Sequence, residues 1–131
     1  MKNLTSLFSF CEKDEAAELS SLLPMVSDIN EADEKTGWNL IIVAAFHHSY
    51  KCFDLLLDRG ADINSVNRKG TSVLMYAKTA VFKNRNFSFL KYIISKGADV
   101  QLRDTYGKTV YDYVVDADDQ EMINFFKEYQ R

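Results

Sequence analysis

Two adjacent histidines, two cysteines and a run of carboxylates are the residues of this chain best equipped for chemistry. His47-His48 suggests a pair of metal ligands, but neighbouring residues on a helix point about 100° apart and poorly share one ion. His48 and Cys52 are four apart, and a turn is expected between them. Cys11 and Cys52 fall on apolar helix faces and read as small buried hydrophobes of a reducing compartment, with no disulfide expected. Asp116-Ala117-Asp118-Asp119 fits a solvated helix start, with Asp118 and Glu121 spaced as a capping box. No phosphate-binding glycine loop and no paired-cysteine motif is present. The expectation is a non-enzyme with no catalytic residues, no metal and no cofactor.

The elements that must carry these residues follow from composition and pattern. A chain of 131 residues with 47% hydrophobic and 27% charged residues has the material for one domain with a continuous core. One proline and five glycines leave little room for a flexible linker. No apolar run approaches the ~18 residues of a membrane span, and the start of the chain lacks an apolar stretch with a cleavage site. A cytoplasmic location and no membrane partner are expected. Leu4, Leu7, Phe8 and Cys11 recur at helical spacing, and Ala16, Leu19, Leu22 and Leu23 mark a second helix that stops near Pro24.

The strongest signal is an internal repeat. Gly60-Ala61-Asp62-Ile63 and Gly97-Ala98-Asp99-Val100 each follow an apolar helical segment, and each is followed seven residues after its β-branched member by a glycine, Gly70 or Gly107. Gly37 opens an earlier unit. Gly37 to Gly70 spans 33 residues and Gly70 to Gly107 spans 37, so four extra residues lie between Ala77 and Leu90. The stretch Phe82 to Phe87 reads as a lengthened turn.

On these residues the chain resembles the ankyrin-repeat family over nearly its whole length. The resemblance implies an all-α solenoid of about four helix-turn-helix units with short finger turns. The units are 1–35, 36–68, 69–104 (with the insertion) and 105–131, the outer two acting as caps. The family's Thr-Pro-Leu-His opening is eroded here to Asn39-Leu40-Ile41-Ile42, Ser72-Val73-Leu74-Met75 and Thr109-Val110-Tyr111-Asp112. Its threonine-histidine network is therefore expected to be missing, with packing in its place. His48 stands where the family has a turn glycine, a position that histidine tolerates better than most residues.

The resemblance also implies protein binding along the finger tips and the exposed face of the first helices. Matched onto this chain, the contact candidates are Trp38, Phe46, His47, Arg68, Lys69, Arg103, Tyr106 and Lys108. Lys83 and Arg85 join them at the inserted turn. Trp38, Phe46 and Tyr106 are expected to be aromatic residues facing solvent, the type that dominates binding hot spots. Charge is uneven: residues 63–98 hold seven basic residues and no acidic one, between an N-terminal stretch of net −5 and a C-terminal stretch of net −4. The expected partner is another protein with an acidic patch, bound by a chain that is monomeric on its own. The expected role is to inhibit or neutralise that partner, in the manner of an immunity protein. The alternatives are an adaptor that recruits a peptide or subunit and, remotely, nucleic-acid binding through the basic middle repeat.

Overall fold

The structure is a computed structural model that describes residues 4–130. Eight α-helices follow in four antiparallel pairs: α1 (Leu4–Glu12) with α2 (Ala16–Leu22), α3 (Leu40–Phe46) with α4 (Tyr50–Asp58), α5 (Val73–Asn84) with α6 (Phe87–Ser95), and α7 (Val110–Asp116) with α8 (Gln120–Lys127). A 3₁₀ turn at Leu23–Met25, with Pro24 in its first turn, ends the second helix. The first helices stack α1 on α3 on α5 on α7, and α2 packs on α4. The only β-type pairing among the described residues is one antiparallel bridge, Val66 to Ser72, across the second finger. This is an all-α solenoid of helix-turn-helix units.

Helix α3 shows why the stack holds. Leu40, Ile41, Ile42, Val43, Ala44 and Ala45 are all buried, because α1, α4 and α5 surround the helix. Each fully buried aliphatic side chain contributes about 1.5–3 kcal/mol, and the alanines let the neighbouring helices approach. The outer helices add Phe53, Leu56, Phe89, Leu90, Ile93, Met122 and Phe126 to the same core.

The turn inside each pair is built one way four times. Asp14, His48, Arg85 and Asp118 each stand two residues before the second helix, and all four are left-handed, with φ of 56°, 54°, 57° and 56°. Aspartate and histidine tolerate that region better than most residues; arginine has no such advantage.

Two expectations are corrected and one is refined. The four inserted residues do not lengthen a turn: α5 runs for 12 residues where α3 and α7 run for 7, so Phe82, Lys83 and Asn84 are helical. Four residues are close to one helical turn, so the insertion extends α5 while leaving its faces nearly in register. Asp118 does not cap the last helix. It takes the left-handed turn position, and Asp119 caps α8 by accepting from the Met122 amide at 3.2 Å. The capping box is instead in α7, between Thr109 and Asp112. Finally, the eroded helix openings keep their polar work. Asn39, Ser72 and Thr109 each accept from the amide three residues on. Asn39 also donates to the buried Ser65 hydroxyl at 2.9 Å, and Ser65 donates to the Asp62 carbonyl at 2.7 Å, linking the second unit to the finger above it.

Candidate protein-contact face

The fingers hang from the first helices, and each is closed by one Asx side chain. In the first finger Asp33 accepts from the Thr36 amide (3.1 Å) and hydroxyl (2.7 Å), and that hydroxyl accepts from the Trp38 amide at 3.1 Å. The Thr36 hydroxyl holds the Asp33 carboxyl below its usual range. Asn67 closes the second finger by accepting from the amides of Lys69 (3.0 Å) and Thr71 (2.9 Å). Asp104 closes the third through the amides of Tyr106 (2.9 Å) and Lys108 (3.1 Å). The last two closures are each tied to a tyrosine nine residues on: Asn67 donates to the Tyr76 hydroxyl at 2.7 Å, and the Tyr113 hydroxyl donates to Asp104. Burial pushes the Asp104 carboxyl up, but the bonds from Tyr113 and the finger amides outweigh it, and the net shift is downward. The same bond pushes the Tyr113 hydroxyl up to about 12.

The fingers stack on one another through glycine. A Cβ on Gly37 (φ 78°) would lie 2.7 Å from the Arg68 backbone nitrogen, and one on Gly70 (φ 76°) would lie 3.0 Å from the Asp104 Cα. The Thr105 amide donates to the Lys69 carbonyl at 2.9 Å, joining the second and third fingers directly. At the other end of each unit an asparagine bridges to the next. Asn30 accepts from the Asp62 amide at 2.8 Å and Asn64 from the Asp99 amide at 2.9 Å.

Trp38 and Phe46 do not stand free in solvent. Trp38 is half-buried, its ring 4.6 Å from Tyr76 and 5.7 Å from Phe46, with Phe46 and Tyr76 5.9 Å apart. The three rings pack into one cluster between the second and third units, with the exposed His47 ring edge-on to Phe46. Tyr106 is 67% exposed at the tip of the third finger, as its position suggested.

The basic candidates divide into two groups. Arg85 is held by Asp119, with nitrogen–oxygen distances of 3.0 and 2.7 Å, and by Glu121 at 3.5 Å. Lys108 pairs with Asp116 at 2.6 Å, and Arg103 bonds the Gly107 carbonyl at 2.7 Å. These three bind the solenoid to itself. Arg68 and Lys69 on the second finger and Lys83 at the end of α5 are exposed and in no ion pair among the described residues. Lys78, also basic and on α5, is buried over the rings of Tyr113 (5.0 Å) and Phe82 (5.8 Å); burial lowers its ammonium to about 8, with Asp104 opposing.

His48 is a structural residue. Its ring stacks on Phe89 at 4.4 Å, and its Nε2 lies 2.9 Å from the Ala77 carbonyl, so Nε2 carries the proton. Nδ1 is then the acceptor for the side-chain Nδ2 groups of Asn86 (3.3 Å) and Asn84 (3.5 Å). Burial pushes its pKa below the ordinary histidine value. Tyr76, Asn67, Asp104 and Tyr113 were missed as site residues in the sequence. Their signal was there: an Asx followed nine residues later by tyrosine, twice, at the same place in consecutive units.

Residues 36–68 match the family model of the ankyrin repeat, and they hold the helix pair α3–α4 and the start of the next finger. That segment is an ankyrin repeat. An ankyrin repeat protein of Acanthamoeba polyphaga mimivirus is 39% identical to the chain over 62 residues, which is 47% of this chain and 10% of that protein. The chain thus spans about a tenth of the length of that relative. Ankyrin repeats are protein-interaction modules, typically without enzymatic activity of their own. No helix among the described residues is long and apolar enough to cross a membrane.

Proposed function

We propose that the chain binds one protein partner across its finger tips and the ends of its first helices, and inhibits it by occupying its working surface. The observation that carries this reading is the division of the basic residues. Arg85, Arg103 and Lys108 are satisfied within the fold, while Arg68, Lys69 and Lys83 are presented to solvent with no partner carboxylate among the described residues. Arg68 lies against Gly37, next to Trp38 of the aromatic cluster, and the Lys69 carbonyl is bonded by Thr105, next to the exposed Tyr106, so aromatic side chains lie beside positive ones. Aromatic residues in such a setting supply affinity, and the charges steer an acidic surface to them. The stacked fingers present these groups with little ordering cost on binding.

The test is to isolate the complex from the native source, identify the partner and measure its activity with and without a stoichiometric amount of this chain. Loss of partner activity in a one-to-one complex that survives moderate salt supports inhibition. A complex that leaves the partner fully active, or one exchanged among several partners, makes the chain an adaptor. Affinity for a polyanion that falls steeply with salt, with no protein complex, makes the basic rim a nucleic-acid surface.

A further inference from the structure

Cys11 and Cys52, the chain's two cysteines, stand 41 positions apart on different helices, and both are fully buried. The fold brings them together. The Cys52 thiol donates to the Phe10 carbonyl at 3.5 Å, the carbonyl bonded to the Cys11 nitrogen, which sets the Cys52 sulfur beside Cys11. Their backbones are held together by the Ser49 hydroxyl on the Cys11 carbonyl at 2.5 Å and by the Cys52 amide on the Asp14 carboxylate at 2.8 Å. Those bonds come from the turn at each end, so both cysteines are fixed in place from outside the pair.

We propose that Cys11 and Cys52 are a disulfide-forming pair that, on oxidation, staples α1 to α4 and locks the first helix pair onto the second. In the step, one thiol is deprotonated and attacks a small-molecule disulfide such as oxidised glutathione, releasing one glutathione. The second thiol, deprotonated in turn, attacks the mixed disulfide and releases the other. Two protein thiols lose two electrons and two protons, and one glutathione disulfide becomes two thiols. The neighbouring Cys52 thiol and then burial push the Cys11 thiol far above its ordinary value, so the folded pair is protected from attack. Oxidation therefore proceeds during folding, or when α1 and α2 lift from the stack, and the new bond then holds the closed form. The closed form fixes α1 beneath α3, the helix that ends in Phe46 of the aromatic cluster.

The experiment equilibrates the whole chain in mixed reduced and oxidised glutathione, once under native conditions and once in denaturing guanidinium, and reads free thiols and intact mass after alkylation. The native fold should raise the ratio of intramolecular disulfide to dithiol roughly 100-fold over the denatured chain, because the fold pre-aligns what the disulfide joins. The isolated oxidised protein should melt about 10 °C above the reduced one, a gain removed by dithiothreitol. Cys52→Ser should show no internal disulfide and no reductant-sensitive shift in melting. A native ratio equal to or below the denatured ratio, or an oxidised form that melts below the reduced one, would overturn the proposal, since the folded thiols would then be held where they cannot bond.

Discussion

Alanine at Gly37, Gly70 and Gly107 separates backbone strain from finger stacking, because the three share nearly the same conformation and differ in what lies above them. Their φ values are 78°, 76° and 77°. Alanine at any of them meets the left-handed penalty, about 1–2 kcal/mol. At Gly107 nothing lies within 4 Å of the new Cβ, so that penalty is the whole cost. At Gly37 the methyl would sit 2.7 Å from the Arg68 nitrogen and 3.0 Å from its Cγ, closer than atoms approach without movement. Because the nearest atom is backbone, a finger must shift, and forced overpacking of this kind costs a further 1–3 kcal/mol, roughly. Gly70, at 3.0 Å from the Asp104 Cα, should lie between the two. Urea unfolding curves followed by helical circular dichroism measure all three. The expected order of loss is Gly37→Ala, then Gly70→Ala, then Gly107→Ala, with about 1–3 kcal/mol between the extremes. Equal losses at the three sites would refute the stacking of fingers through glycine.

Lys78 makes stability depend on alkaline pH. Its folded ammonium titrates near 8 against 10.5 for an ordinary lysine, so the unfolded chain holds more protons between those values. Stability should therefore rise as pH climbs from 8, by at most about 3 kcal/mol, before Tyr113 and Tyr92 reverse the trend above pH 10. Lys78→Met should remove the rise and stabilise the protein at neutral pH; melting curves across that range check both. His48 acts at the other end: its folded pKa lies below 6.5, so stability should fall as pH drops below 6.5. That fall should be smaller in His48→Gly, which keeps the left-handed turn without the ring, as acid titrations of the two proteins would show. Thr109→Ala removes the capping box of α7 and should cost about 1 kcal/mol in urea unfolding, with amide exchange rising first in α7.

The repeat frame was legible because it is written in backbone requirements. Gly60 and Gly97 end apolar helices, Gly37 and Gly70 sit where fingers touch, and these needs fix residue type at fixed spacing. The left-handed turn at His48 was readable for the same reason. Its three counterparts, Asp14, Arg85 and Asp118, were not, because without glycine the position leaves no mark on composition. The stretch from Phe82 reads as a turn, but α5 has no helix-breaking residue before Arg85, so Phe82, Lys83 and Asn84 continue the helix. At the candidate face, the finger positions of Arg68, Lys69 and Tyr106 followed from the glycines, and all three are exposed. Which charges were already taken could not be read from spacing. Arg85 and Asp119 are 34 residues apart and meet only because consecutive helix pairs stack.

The binding claim is tested most directly by charge reversal on one face against the other. Arg68→Glu with Lys69→Glu alters two exposed finger residues, while Lys91→Glu with Lys96→Glu makes the same change in charge on the outer helix α6 and the turn after it. Each double variant, checked for unchanged melting, is titrated against the isolated partner by calorimetry. The finger variant should lose most of its affinity and the outer-helix variant should bind as the parent does. Full binding by the finger variant, with binding lost in the outer-helix variant, would place the partner on the opposite side of the solenoid and contradict the account.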